Sequence, residues 1–458
     1  MNYYSLNKQS PIASFKEATI LGQAPDKGLY FPESIPQVDR DLISNIEHIS
    51  NEEIAFRVIK PYVGNEIAED ELYRIVSETV NFPIPLVQVS ENISSLELFH
   101  GPTLAFKDVG ARFMSRCLGY FTKAGISTSL NARQQNPSTP LRVTVLVATS
   151  GDTGGAVANG FYNVEGVEVV ILYPSGKVSS VQEKQLTTLG NNIHALEVNG
   201  TFDDCQQLVK QAFTDAELNK QLFLTSANSI NVARWLPQQF YYFYAYQQWG
   251  NKTEPPVISV PSGNFGNICA GIMAKRLGLP IAHFVASTNA NDTVPRFLEA
   301  GNYEPKPSIA TISNAMDVGN PSNFIRIQEL YHYDLSEFGK DFSAALNSVI
   351  TSQQFFSEVV YMSKVDTTTD IRGKAVVIVA KNGTQLPAFN DINKLYSRQP
   401  AAILFVVNNI DKQPSPRAGR LTFSLYRSRQ TPLVVRVSEA VGETLLKGDF
   451  ATAKAQTL

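Results

Sequence analysis

The chain has 458 residues, which at roughly 150 residues per domain predicts about three structural units, or two with an extension. Apolar residues make up 43% and charged residues 18%, a balance that argues against intrinsic disorder. Lys and Arg number 39 against 42 Asp and Glu, so the net charge of -3 indicates no nucleic-acid partner.

Cysteine and histidine usage argues against disulfide and metal chemistry. Cys117, Cys205 and Cys269 are odd in number and far apart, which predicts neither a disulfide framework nor a metal pair. The five histidines show no zinc-binding spacing. Residues 1–20 do not resemble a signal peptide, and no run approaches the ~18 apolar residues of a membrane span. We therefore expect a cytoplasmic protein with no metal and no membrane partner.

From residue 94 onward, short β-branched runs alternate with segments of helical period, a pattern typical of α/β folds with mostly parallel sheets. Residues 142–149 are almost continuously apolar, which predicts a strand buried on both faces. Further strands are predicted at 167–173, 193–198, 257–260 and 281–285. Thr201 and Asp204 have the spacing of a helix N-terminal capping pair.

The same patterns predict a division of the chain into three regions. Residues 1–93 form an N-terminal region, 94–248 a smaller α/β domain, and 249–458 a larger α/β domain. Residues 125–141 lack periodicity and are predicted to be a solvated loop.

The first loop that suggests chemistry surrounds Lys107. A predicted strand ends at 101–102, and a helix with a regularly spaced apolar face begins near Asp108. The positive end of the helix dipole and the apolar neighbours would lower the pKa of this lysine and leave an amine able to attack a carbonyl. The alternative is a surface lysine beside Asp108.

Two further loops have a strand, a glycine-rich turn and a helix in succession. The turn within 147–156 presents amides and hydroxyls at a helix start, which suits a carboxylate or a phosphate. The turn within 257–268 adds the hydroxyl of Ser262 but no lysine, which favours a single phosphate monoester. Each turn could instead be a purely structural connection. Neither matches the dinucleotide, P-loop or hydrolase motifs.

Together the three loops resemble those of the fold-type II pyridoxal phosphate enzymes. The match is narrower, because several long motifs resemble the threonine synthases over about residues 1–345. These motifs are HGPTLAFKD at 100–108, ATSGDTG at 148–154, TSANSIN at 225–231 with Arg234, SGNFGN at 262–267, NAND at 289–292 and SNAMDVGNPSN at 313–323.

The resemblance implies two open, twisted, mostly parallel α/β domains with an N-terminal extension. It also implies pyridoxal 5'-phosphate as the cofactor and conversion of O-phospho-L-homoserine and water to L-threonine and phosphate. By carry-over, Lys107 is the catalytic, cofactor-binding lysine. The cofactor phosphate would be held by Ser262, Gly263, Asn264, Phe265, Gly266 and Asn267. The substrate carboxylate would meet Ser150, Gly151, Asp152 and Thr153, and the candidates for the substrate phosphate are Ser226, Asn228, Asn231 and Arg234.

Alternatives remain for the function and for Arg234. A serine or threonine dehydratase shares the lysine and the glycine loop but needs no second phosphate site. An inactive relative that binds the cofactor is the other possibility. Arg234 could form a salt bridge on a helix instead of binding phosphate. The expected partner is a small-molecule substrate, and the expected assembly is a monomer or a homodimer.

The chain departs from the family pattern after about residue 347. The family's Ala-His-Pro and Asp-Pro-His segments are missing, and no histidine follows His332. Apolar runs at 375–380, 401–407 and 433–437 are candidate strands. Either the reading frame of the gene is lost here, or the tail is altered and supplies a different partner for the pyridine nitrogen. We assign no residue to that nitrogen.

Overall fold

The computed structural model describes residues 1–90, 93–123, 142–149, 151–178, 180–309, 316–332, 403–407, 421–428 and 431–437. These divide into two compact units, each built from two stretches of the chain: 1–83 with 101–240, and 84–100 with 241–458. The boundaries expected at residues 93 and 248 divide the chain differently and stay a prediction.

The strands follow one another along the chain as β1 (Asn2–Ser5), β2 (Ala13–Ser14), β3 (Tyr30–Pro32), β4 (Leu86–Ser90), β5 (Ile93–Glu97), β6 (Val143–Ala148), β7 (Val167–Pro174), β8 (Ile193–Val198), β9 (Phe223–Ser226), β10 (Val257–Pro261), β11 (His283–Ser287), β12 (Ile403–Val407), β13 (Leu421–Ser428) and β14 (Thr431–Val437). The helices are α1 (Phe15–Leu21), α2 (Arg40–Ser44), α3 (Asn51–Val63), α4 (Glu69–Thr79), α5 (Lys107–Lys123), α6 (Asp152–Phe161), α7 (Ser180–Thr187), α8 (Phe202–Thr214), α9 (Ala216–Gln221), α10 (Val232–Trp235), α11 (Phe240–Gln248), α12 (Gly266–Arg276), α13 (Thr293–Ala300) and α14 (Phe324–Leu330).

The first unit is organised around a parallel sheet with the strand order β8-β7-β6-β9. All six residues of β6 are buried, as the apolar run at 142–149 predicts. Parallel strands buried on both faces need helices on each side, and α5, α6 and α8 pack in this unit. The N-terminal residues of the same unit form a small antiparallel sheet, β2-β1-β3.

The second unit contains a five-stranded sheet with the order β11-β10-β12-β5-β4. Its strands are parallel except for β4, which runs antiparallel to β5. β12 pairs with both β10 and β5, so a strand from the divergent tail lies in the middle of this sheet. β13 and β14 form an antiparallel hairpin. The candidate strands at 401–407 and 433–437 therefore fall on β12 and β14, whereas 375–380 lies outside the described residues.

Two sequence predictions can be compared directly with the structure. Thr201 and Asp204 form the predicted capping box at the start of α8. β11 begins at His283, two residues later than expected, and the amide of Ala282 before it donates to the carbonyl of Pro256, outside the sheet ladder. The loop predicted at 125–141 lies outside the described residues. None of the helices in the described ranges has the length and apolar character needed to cross a membrane.

Candidate active site

Lys107 is the first residue of α5, as the sequence predicts, and a short hydrogen-bonded loop delivers it there. The buried carboxylate of Asp108 accepts from the amide of Thr103 at 2.9 Å and from its hydroxyl at 2.5 Å. Leu104 adopts a φ of 60°, which is uncommon for a residue with a Cβ atom, and its amide donates to Gly101. Hydrogen bonds to the Asp108 carboxylate therefore fix the conformation of the loop at 101–106, which precedes Lys107.

The amine of Lys107 lies near one carboxylate and one guanidinium. Its Nζ is 3.8 Å from Oδ2 of Asp152, and 19% of the side chain is exposed. Burial lowers the pKa of the Lys107 amine, the negative charge of Asp152 raises it in part, and Arg234 lowers it again. The net direction is downward, which increases the fraction of neutral, nucleophilic amine.

The second loop joins the carboxyl end of β6 to α6. Thr149 Oγ1 accepts from the amides of Gly151 at 3.0 Å and Gly154 at 2.8 Å, which fixes the turn. Gly151 has a φ of 138°, a conformation open to glycine alone. Asp152 and Thr153 form the first turn of α6, where amides favour an anion. Ser150, the remaining carboxylate candidate, lies outside the described residues.

Of the four candidates for the substrate phosphate, Ser226 ends β9 and the other three follow it; β9 is parallel to β6, so the two loops leave the same edge of the sheet. The amide group of Asn231 is used by the protein: it donates to the carbonyls of Thr19 at 2.8 Å and Ser226 at 3.2 Å, and it accepts from Ala233 at the start of α10. Asn231 therefore anchors this segment to the N-terminal part of the same unit.

Ser226 and Asn228 retain more capacity for a ligand than Asn231 does. The hydroxyl of Ser226 accepts from the amide of Asn228 at 3.2 Å. Asn228 Oδ1 is buried and has no hydrogen-bond partner within the described residues. If the side-chain amide of Asn228 is flipped by 180°, its nitrogen takes the place of Oδ1. In that orientation it would donate a hydrogen bond to a phosphate oxygen. Arg234 is only 4% exposed, and its charge acts on Lys107.

The glycine-rich loop of the second unit joins β10 to α12. The amide of Ser262 donates to Ser287 at 2.7 Å, and its hydroxyl donates to Val260 at 2.8 Å. Phe265 has a φ of 59° and turns the chain into α12, whose first amides have no carbonyl one turn earlier within the helix. We refer to residues 262–267 as the phosphate cup.

A segment at 316–323 fastens the phosphate cup, and sequence reasoning gave it no role. Asn264 Oδ1 accepts from the amide of Ser322 at 2.6 Å and from its hydroxyl at 2.9 Å. The Asn264 carbonyl accepts from Asn323 at 3.3 Å. A Cβ atom on Gly263 would lie 2.8 Å from Met316 Cα, so glycine is required there by packing.

Tyr242 is a second residue that the sequence did not single out. Its hydroxyl contacts Oδ1 of Asn267 at 2.7 Å and the Asn267 carbonyl at 2.9 Å, which holds the first turn of α12. The run of asparagines and serines at 313–323 was a signal for a polar role in this unit. No local signal marks Tyr242, because its partner is 25 residues away.

The donors present fit pyridoxal 5'-phosphate. The first unit holds a partly buried amine of lowered pKa, which suits covalent attachment to an aldehyde, and the second holds a turn of amides at a helix start, which suits a phosphate. The turn follows the carboxyl end of β10, and the amine lies 3.8 Å from Asp152, which follows the carboxyl end of β6. The carboxyl ends of parallel strands are where α/β sheets bind ligands. The class so defined is the pyridoxal-phosphate-dependent enzymes of fold-type II, and the family model described as "Pyridoxal-phosphate dependent enzyme" matches residues 87–338.

Comparison with known proteins narrows the class. The model described as "Threonine synthase N terminus" matches residues 2–80. Threonine synthase from Haemophilus influenzae is 47% identical over 343 residues, 74% of this chain and 76% of its own length. The crystal structure of threonine synthase from Escherichia coli superposes with a TM-score of 0.71 at 36% identity, covering 89% of this chain and 88% of that one. This chain belongs to the threonine synthase family.

The solved structures extend the match in length. The structure of threonine synthase with bound pyridoxal phosphate from Brucella melitensis has a TM-score of 0.71 at 30% identity, and covers 100% of this chain and 99% of its own. The model for pyridoxal-phosphate-dependent enzymes ends at residue 338, close to where the motifs at 313–323 are followed by the divergent tail.

Proposed function

We propose that this protein converts O-phospho-L-homoserine and water to L-threonine and phosphate, with pyridoxal 5'-phosphate as its cofactor. The observation that carries the proposal is the grouping of Lys107, Asp152 and Arg234 in one unit, with an amine of lowered pKa beside a buried guanidinium. An amine that moves protons and a cation that binds a phosphate are the two groups that this reaction needs from its protein.

In this proposal, the loops that follow β6 and β9 at the same edge of the first sheet bind the substrate. The amides of Asp152 and Thr153, at the start of α6, bind the carboxylate, with Gly151 giving the turn and Ser150 adding a hydroxyl. The guanidinium of Arg234 donates in pairs to the substrate phosphate. Asn228 and Ser226 supply further polar groups, whereas Asn231 holds the segment in place.

Lys107 carries out the proton transfers. When bound, pyridoxal phosphate would supply an electron sink that makes the protons on the substrate's carbon atoms more acidic. The lowered pKa increases the fraction of Lys107 that is a neutral base, and after receiving a proton the amine is stabilised by the carboxylate of Asp152. The phosphate cup, with Gly266 and Asn267 at the start of α12, holds the phosphate of the cofactor.

An assay of two products tests the proposal. Purified protein loaded with pyridoxal phosphate is given O-phospho-L-homoserine, and inorganic phosphate and threonine are measured. In a parallel assay it is given L-threonine, and ammonia is measured. Equal yields of phosphate and threonine support the proposal, whereas ammonia release alone indicates a dehydratase. Absence of phosphate, threonine and ammonia, with the cofactor bound, indicates an inactive relative.

The similar proteins at 44% to 47% identity favour the synthase over the dehydratase, because they are threonine synthases. We propose a cytoplasmic location on the basis of composition. The assembly that we predict is a monomer or a homodimer.

A further inference from the structure

Helix α7 lies against the glycine-rich start of α6. A Cβ atom on Gly154 would come within 2.7 Å of the side chain of Leu186, which is 1% exposed. A Cβ atom on Gly155 would come within 2.7 Å of Gln185 Oε1. The glycines therefore allow a close approach of α7, quite apart from any role in binding anions.

One turn earlier on α7, Gln182 reaches the site itself. Its side-chain amide lies over Gly151, where a Cβ atom would overlap it. Its Nε2 donates to Oδ1 of Asp152 at 2.5 Å. The other carboxylate oxygen, Oδ2, is the one that lies 3.8 Å from Lys107 Nζ. The two oxygens of Asp152 thus face different partners.

We propose that Gln182 is a positioning residue for the catalytic amine: it holds the Asp152 carboxylate in the orientation that places its second oxygen beside Lys107. This inference rests on the proposed function for the role of the amine in catalysis. The geometry that motivates it lies within one unit of the structure and is independent of the substrate.

The electrostatic consequence has a definite sign. The charged groups that act on Lys107 are Asp152 from α6 and Arg234 from α10, and the ring of Phe106 lies 5.7 Å from Nζ. Asp152 favours the protonated amine, whereas Arg234 disfavours it. If the carboxylate is no longer held, its stabilising effect on the protonated amine declines, while the opposing effect of Arg234 remains. The pKa of Lys107 should then fall.

The test measures the amine directly in protein freed of cofactor. The rate at which acetic anhydride acylates Lys107 is followed against pH by peptide mass spectrometry. Gln182→Met keeps the length and packing of the side chain but removes the donor. We expect the midpoint of this profile to move to lower pH by about half a unit or more. This shift is smaller than the one expected from removing the charge of Asp152 altogether, because the carboxylate remains nearby. Gln185→Met, the matched control on the same helix, should leave the midpoint unchanged.

A double-mutant cycle separates this role from a general effect on folding. Asp152→Asn alone should lower the midpoint, and Gln182→Met added to it should produce no further shift. Equal shifts in the Gln182 and Gln185 variants, no shift in Gln182→Met, or a further shift in the Asp152→Asn background would each overturn the proposal. Because acylation does not depend on turnover, failure of the proposed reaction would leave this measurement intact.

Discussion

Asn264 receives two hydrogen bonds from a single residue: the amide and the hydroxyl of Ser322 both donate to its side-chain oxygen, at 2.6 and 2.9 Å. The two residues are 58 positions apart in the chain. This pair fixes the phosphate cup against the segment at 316–323, so the shape of the cup depends on residues outside its own loop.

Removing the hydroxyl should loosen the cup without dismantling it. We expect Ser322→Ala to weaken the binding of pyridoxal phosphate by about threefold to tenfold, the factor that corresponds to one neutral hydrogen bond. Equilibrium dialysis measures the affinity. Asn302→Ala is the control, because Asn302 bonds only to the exposed Glu304 among the contacts described. An unchanged affinity in Ser322→Ala would mean that the segment does not shape the phosphate site.

Lys107→Ala should abolish the visible absorbance that develops when pyridoxal phosphate is added, because no amine remains at this position for covalent attachment. Lys123→Ala, in the last turn of the same helix and with a side chain 66% exposed, should keep it. A spectrophotometric titration of both variants gives the comparison. Retention of the absorbance by Lys107→Ala would assign the cofactor to another lysine.

The bond between Thr103 and Asp108 should contribute to stability as well as to the position of Lys107. Thr103→Val keeps the shape but leaves a buried carboxylate oxygen without its donor, which costs about 1 to 3 kcal/mol of the free energy of unfolding. Thr103→Ser keeps the hydroxyl and should lose much less. Urea unfolding curves of the two variants decide. Equal losses would show that the hydroxyl contributes no more to stability than the methyl group does.

Arg234 should affect the substrate more than the cofactor. Arg234→Lys preserves a charge near Lys107 but removes the paired donors, so we expect roughly a tenfold rise in the KM for O-phospho-L-homoserine with little change in cofactor affinity. Steady-state kinetics and dialysis on the same preparation supply both values. The opposite pattern, with cofactor lost and KM unchanged, would place the guanidinium near the cofactor instead.

The central position of β12 can be tested through the backbone alone. Leu404→Pro removes an amide from the strand that pairs with both β10 and β5, and a proline in a central strand should disrupt the sheet. Hydrogen exchange should then accelerate in β10 and β5. Leu425→Pro, in the β13–β14 hairpin, is the control and should spare them. If Leu404→Pro left the exchange rates of β10 and β5 unchanged, β12 would not be a central strand of this sheet.

Local patterns in the sequence predicted the elements that carry the chemistry. Lys107 at a helix start, the fully buried β6 and the capping box at Thr201 each follow from residues within a few positions of one another. The contacts that shape the site could not be predicted in this way. Gln182 meets Asp152 across 30 positions, and Ser322 meets Asn264 across 58, so only the fold brings them together. Asn231 had the right side chain for a ligand, but a carbonyl 212 positions away uses it.

The order in which the strands are synthesised has a consequence for the nascent protein. A ribosome delivers β5 and β10 long before β12, the strand that lies between them in the finished sheet. Until residue 407 emerges, both strands present open edges that can pair with a neighbouring polypeptide. Chaperones that shield such edges during translation should therefore raise the yield of native enzyme.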